Sequence, residues 1–216
     1  MSTDRLGALA HAHHAETACR LCRARREVET ETVVGSASDG LETVREVAKL
    51  QPAVVVMDIA MPQMNGIEAA REICSRAAQT RIVILSMHSS VEHVYQALGA
   101  GAQGYVLKRA AAREIVDAVR AVSVGHRYLS HEIAEAIAEG IGRGAVTSPL
   151  QSLSRRERQI LQLVAEGHSG AQIAQTLHLS PKTVDTYRSR LMHKLRIGDT
   201  AGLVKFAIQH GLTALE

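Results

Sequence analysis

The sequence predicts an α/β domain built on a doubly wound parallel sheet, followed by a smaller domain made only of helices. Three observations carry this. Apolar runs such as Ala53-Val-Val-Val-Met57 and Arg81-Ile-Val-Ile-Leu-Ser86 alternate with amphipathic helical patterns over the first 124 residues. Continuous apolar strands between helices mean a sheet covered on both faces. From Ser154 onward strand patterns stop and four helical stretches follow one another. Finally, the basic residues crowd into the last third of the chain.

In order, Val33–Ala37 reads as a short strand, and Asp39 caps a helix from about Leu41 to Leu50. Pro52 breaks that helix before the Val54–Asp58 strand, and Gly66–Cys74 is helical with Ile67, Ala70, Ile73 and Cys74 on one face. The Arg81–Ser86 strand, a Val91–Leu98 helix, a Gly104–Lys108 strand and an Ala111–Val124 helix complete the first domain. Gly125–Leu150 has linker composition, with one short helical pattern over Ser130–Glu139. The expected division is therefore 1–124, a linker over 125–150, and 151–216.

A chain of 216 residues with 46% hydrophobic content but no Trp and one Phe supports aliphatic cores for two small domains. The net charge of +3 does not by itself point to nucleic acid, but its distribution does. Beyond Leu153, nine Lys and Arg face five Asp and Glu, more than the whole chain's excess, which suggests a polyanion partner. No apolar stretch approaches the roughly 20 residues that cross a bilayer, and no signal peptide is evident, so a cytoplasmic protein is expected. Three cysteines do not suggest a disulfide scaffold.

Asp58 ends an apolar strand and precedes the Pro- and Gly-punctuated turn Ile59-Ala-Met-Pro-Gln-Met-Asn-Gly66. Open α/β sheets put their chemistry at that edge, where one carboxylate can serve as an oxygen nucleophile or a metal ligand. In the helical end, Ser154-Arg-Arg-Glu157 is a capping box, and Ser180 with Pro181 opens a later helix. That helix places Val184, Tyr187, Leu191 and Leu195 inward and Lys182, Asp185, Thr186, Ser189 and His193 outward. Two short helices, a tight turn and a helix with a polar outer face make a helix-turn-helix. The bland alternative is a small helical bundle with a solvated basic face.

The helical end resembles the LuxR-type helix-turn-helix of the NarL/FixJ response regulators. The matching text is Leu153-Ser-Arg-Arg-Glu157, Leu163-Val-Ala-Glu-Gly167, Ile173-Ala174, Leu179-Ser-Pro-Lys-Thr-Val184 and Leu191-Met-His-Lys-Leu195. The resemblance implies that Ser180–Leu195 is a recognition helix for double-stranded DNA. Asp185, Thr186 and Ser189 then fall on base-contacting positions, and Lys182, Thr183, Arg188, Arg190 and Lys194 on the phosphates or groove edge. Tyr187 stands where the family commonly has His.

The first domain resembles the same family's receiver, a flavodoxin-like fold with a five-stranded sheet. Asp58 matches its phospho-acceptor, Ser86 and Tyr105 its switch residues, and Lys108 the lysine ending the fifth strand. The resemblance implies a sensor histidine kinase as partner, a homodimer on DNA and Mg²⁺ at phosphorylation. The N-terminus departs from it. Receivers hold the metal with an acidic pair beside the acceptor, and an ungapped extension puts Ala12 and His13 there, leaving Asp58 alone. Leu6-Gly-Ala-Leu-Ala10 also has little β propensity, so residues 1–30 are atypical.

Three explanations stay open: a degenerate first strand, an N-terminal stretch foreign to the domain, or a transition-metal or redox site made from His11, His13, His14, Cys19 and Cys22. The leading expectation is a DNA-binding transcriptional response regulator gated by phosphorylation at Asp58, and not an enzyme. A phosphorylation-independent regulator is the alternative. A stand-alone phosphoryl-transfer enzyme of the haloacid-dehalogenase type is a third reading, against which Ala60 stands where a second Asp is required.

Overall fold

The computed structural model of the chain describes residues 6–11, 31–110, 112–141 and 149–213. Among these, six strands make one sheet: β1 (Leu6–His11), β2 (Glu31–Ala37), β3 (Val54–Asp58), β4 (Arg81–Ser86), β5 (Gly104–Leu107) and β6 (Tyr128–Leu129). The order is β2-β1-β3-β4-β5-β6, and every pairing is parallel. The first-domain helices are α1 (Gly40–Leu50), α2 (Gly66–Arg76), α3 (Val91–Gly99), α4 (Ala112–Ser123) and α5 (His131–Ile141). A 3₁₀ turn at Pro149–Ser152 leads to α6 (Arg155–Ala165), α7 (Gly170–Leu177), α8 (Pro181–Leu195) and α9 (Thr200–Gln209).

Period-2 alternation along the strands sorts two cores. Val55 and Met57 of β3, Ile82 and Ile84 of β4, and Tyr105 and Leu107 of β5 point to one face, where α1, α2, α3 and α5 pack. Val54, Val56, Val83, Leu85 and Val106 point to the other, against Ile115, Ala118, Val119 and Val122 of α4. A third core belongs to the helical domain, centred on Ile160, Leu161, Ile173, Val184, Leu191 and Leu203.

The helix boundaries follow the capping chemistry read from the sequence. Asp39 accepts from the Glu42 amide at 2.8 Å, and Ser154 and Glu157 form the reciprocal capping box of α6. Ser180 accepts from the Thr183 amide at 3.1 Å, with Pro181 opening α8.

Two expectations need correction. The sheet has six strands rather than five, because Tyr128–Leu129 pairs with β5. The stretch with linker composition therefore begins with a strand and helix that belong to the first domain: Ile133 is fully buried in its core, and the Ser130 hydroxyl accepts from the Leu107 amide at 3.1 Å. Gly125, at φ +90°, supplies the turn and so disguises the strand as linker. The first strand, despite weak local propensity, lies between β2 and β3, with Ala8 opposite Val54 and Ala10 opposite Val56. A central position gives it ladder partners on both edges, which outweighs side-chain preference. The expectations for Ala12, His13, His14, Cys19 and Cys22 lie outside the described residues, and of His11 only the backbone is described.

Separate cores predict separable damage. Ile160→Ala, at a fully buried site in the helical domain, is expected to cost about 2–5 kcal/mol there. Hydrogen exchange should show lost amide protection over α6–α9 with β3–β5 unchanged.

Candidate functional site

Parallel pairing brings three strand ends to one edge. Asp58 ends β3 opposite Leu85, and Ser86 ends β4 opposite Leu107, so Lys108 emerges from β5 beside them. The Lys108 ammonium ion-pairs with Asp58 Oδ2, and Lys108 donates its backbone N–H to the Ser86 carbonyl at 2.8 Å. The Ala60 amide donates to Asp58 Oδ1 at 3.2 Å. Asp58 is 7% exposed, shielded enough for the lysine charge to matter.

The loop after Asp58 turns tightly. Gly66 donates its N–H to the Ile59 carbonyl at 2.8 Å, and a Cβ on Gly66 would stand 2.1 Å from the Asp58 carbonyl oxygen. Only glycine lets helix α2 start that close to Asp58. Asn65 caps the helix by accepting from the Glu68 amide at 2.9 Å.

Ser86 and Tyr105 meet at one neighbour. Ser86 Oγ accepts from the His88 amide at 3.0 Å, and the Tyr105 hydroxyl donates to the His88 carbonyl at 2.8 Å. Tyr105 is fully buried, and burial pushes its hydroxyl up to about 12. The four residues singled out in the receiver are thus brought together, with Tyr105 reached through His88.

A magnesium ion would need several oxygen ligands. Among the described residues no group of three His, Cys, Asp or Glu side chains could hold a metal ion. The described donors around Asp58 do not by themselves fit the ion.

On the helical domain, Lys182, Asp185, Thr186, Ser189 and Arg190 are exposed along α8, and Thr183 and Arg188 are half-buried. Three of the basic residues have intramolecular partners. Arg188 donates to the Thr200 hydroxyl at 3.1 Å, and the Arg190 guanidinium lies 5.9 Å from the centroid of the Tyr187 ring. Lys194 differs from the rest. Its ammonium donates to the buried Glu157 carboxylate at 2.8 Å, tying α8 to the cap of α6. Burial pushes the Glu157 carboxyl up, but Lys194 and the Ser154 amide and hydroxyl outweigh it, so the group lies below its ordinary value.

Sequence reasoning missed the seam between the domains. Gln162 of α6, 1% exposed, donates to the Met61 carbonyl at 2.8 Å and accepts from the Asn65 amide at 3.0 Å and its side-chain nitrogen at 3.3 Å. Arg158 donates to Glu68 at 2.7 Å, and Arg155 ion-pairs with Glu72. Glu68 Oε2 is buried without a hydrogen bond among the described residues, with Arg155 Nε 3.7 Å away. The receiver thus grips α6 and leaves the outer face of α8 open. A glutamine inside an apolar helical run was the one local signal of this contact.

The comparisons agree with this geometry. Residues 15–120 match the response regulator receiver domain, and residues 151–207 the bacterial regulatory proteins of the luxR family. Similar relatives include the response regulator UvrY of Escherichia coli K12, 40% identical over 185 residues and 85% of each chain. The response regulator GacA of Pseudomonas aeruginosa is 36% identical over 187 residues, covering 86% of this chain and 87% of GacA. Among solved structures, a LuxR-family two-component response regulator from Aurantimonas is 33% identical with a TM-score of 0.60, covering 63% of this chain and 97% of that one. The RcsB–DNA complex shares the fold at 22% identity, with a TM-score of 0.60 over 97% of this chain and 100% of that one. A receiver sheet joined to a luxR-type helical domain defines a two-component response regulator with a DNA-binding output. The chain belongs to the NarL/FixJ family of these regulators.

The Tyr105 burial has a measurable sign. Because its folded value lies above the ordinary 10, the folded chain keeps a proton that the unfolded chain loses. Its contribution to stability is full below pH 10 and is lost as pH rises toward 12. Phenolate absorbance should show one late-titrating tyrosine that Tyr105→Phe removes.

Proposed function

We propose that this transcriptional regulator is switched at Asp58. A carboxylate oxygen attacks the phosphorus of a phosphohistidine on a sensor kinase. The new O–P bond makes an acyl phosphate as the P–N bond breaks, and the histidine leaves. The observation that carries the reading is the junction of Asp58 and Lys108 at the sheet edge, where the ammonium can stay paired with the added phosphoryl oxygens. The added charge, about −1.5 to −2 by analogy with other phospho-residues, recruits the Ser86 hydroxyl. Any shift of Ser86 pulls on His88, which both Ser86 and Tyr105 hold.

In this reading residues 1–124 with the added strand and helix up to 141 act as the receiver, and 151–216 as the DNA-binding unit. Lys182, Thr183, Arg188 and Arg190 meet phosphates, and Asp185, Thr186 and Ser189 meet bases, with two copies of the chain on promoter DNA. Lys194 contributes less than its position implies, since Glu157 already occupies it. The chain works by changing state rather than by turning over a substrate. No helix among the described residues is long and apolar enough to cross a membrane.

A phosphorylation-independent regulator is the second reading. It is favoured by Ala12 and His13 in the acidic-pair positions. Phos-tag electrophoresis with acetyl phosphate and Mg²⁺ separates the two. The first expects a retarded band that Asp58→Asn removes; no band in the native chain supports the second.

For the output, Lys182→Ala is expected to weaken binding to all DNA sequences and to lower the slope of log affinity against log salt by about one. A gel-shift series over salt measures it.

A further inference from the structure

We propose that the receiver holds the C-terminal end of the DNA-binding domain in a histidine clasp that acid opens, so that a proton can release that domain without any change at Asp58. The consequence for DNA binding rests on the reading above, in which the receiver gates the helical domain.

The clasp joins three rings from two domains. His93 lies in the first turn of α3 and is 4% exposed. Its Nε2 is 2.9 Å from the backbone carbonyl of His210, at the end of α9. A carbonyl only accepts, so Nε2 carries the hydrogen. That leaves Nδ1 as an acceptor, and the Ser90 hydroxyl, 2.5 Å away, donates to it. Both ring nitrogens are therefore satisfied while the imidazole is neutral.

The surroundings leave little room. The His88 ring stacks on His93, with centroids 4.7 Å apart and planes 14° from parallel. Gly211 follows His210 at φ +63°, and a Cβ there would stand 2.6 Å from His93 Nε2 and 3.2 Å from His88 Nε2. The end of α9 closes over the two rings because that position is glycine.

A second proton on His93 places a charge inside this contact. The titratable groups that face it are His88 from the loop before α3, Glu92 from α3 itself and His210 from α9. His210 Nδ1 lies 3.4 Å from Glu92, so the acid in the group is already engaged. On the other sides, α5 meets α3 across a core containing Ile133 and Ile137, and β5 reaches the loop through the Tyr105 hydroxyl on the His88 carbonyl. Burial foremost, with His88 and His210, holds His93 below its ordinary value, against the His210 carbonyl and Glu92. At His93 the closed state therefore binds fewer protons than the open one. Closure is strongest above the ordinary histidine value of about 6.5 and weakens as pH falls below it.

The same clasp touches the Asp58 switch. His88 is held by the Ser86 hydroxyl and the Tyr105 hydroxyl, and it presents its ring to His93. Two inputs, a proton at His93 and a displacement at Ser86, converge on one loop.

The test uses the full chain without phosphodonor, at about pH 7.5 and about pH 5.5, either side of the ordinary histidine value. Small-angle scattering reports domain separation and fluorescence anisotropy reports DNA affinity. The native chain should expand in acid and bind DNA about tenfold tighter, a usual size for coupling between sites. His93→Gln keeps an amide donor for the His210 carbonyl but cannot titrate, so it should stay closed at both values. It retains every other histidine, including His193 on α8, and so subtracts their effects. Gly211→Ala, which crowds the rings without adding or removing a titratable group, should be expanded at both values. Acid expansion in His93→Gln equal to the native chain's, or a native chain equally compact at both values, overturns the clasp. Native expansion that His93→Gln lacks, with DNA affinity unmoved, supports the clasp and overturns the gating reading beneath it.

Discussion

The ion pair between Lys108 and Asp58 is the constraint on which the rest of the receiver edge depends. The two residues come from β5 and β3, which are not neighbours, and the contact spans the end of β4. A nearly buried carboxylate without that ammonium would be an uncompensated charge in poor solvent. With it, Asp58 becomes a fixed point. The loop from Ile59 to Gly66 folds back on that point, and α2 starts within van der Waals reach of the Asp58 backbone.

That fixed loop explains where the helical domain sits. Its Met61 carbonyl and Asn65 amide face outward to Gln162, and the first turns of α2 offer Glu68 and Glu72 to Arg158 and Arg155. The seam is polar and charged, unlike the apolar cores on either side of it. A contact made of hydrogen bonds and ion pairs can be exchanged for water at lower net cost than a core. The seam holds α6 and the end of α9 while the outer face of α8 remains accessible. Release would therefore change the freedom of the DNA-binding domain rather than uncover a hidden helix.

Much of this was legible in the sequence wherever the signal was local. Caps at Asp39, Ser154 and Ser180 marked helix starts because each needs only a side chain and an amide three residues on. The strands of β3 and β4 were legible from continuous apolar runs and Asp58 from its place at a strand end, whereas Ser86, Tyr105 and Lys108 were singled out through the resemblance to the receiver family. Less was legible where neighbours decide. Leu6–His11 carries weak strand propensity but gains two ladder partners at the centre of the sheet. Tyr128–Leu129 is too short to show a period and follows a glycine turn, yet it pairs with β5. The basic excess beyond Leu153 also proved mixed in its use: Arg155, Arg158 and Lys194 hold the protein together, while Lys182 and Arg190 face outward.

The sequence by itself determined the two-domain class, the helix-turn-helix and the place of Asp58 at a strand end, because periodicity, capping and strand-end position are written within a few residues of each other. Tertiary structure alone decided that Gln162 reads the loop after Asp58, that Lys194 serves Glu157, and that His93 closes on His210. Those partners stand far apart along the chain, up to 117 positions for His93 and His210. No local pattern encodes a contact whose geometry exists only once two cores have formed and met.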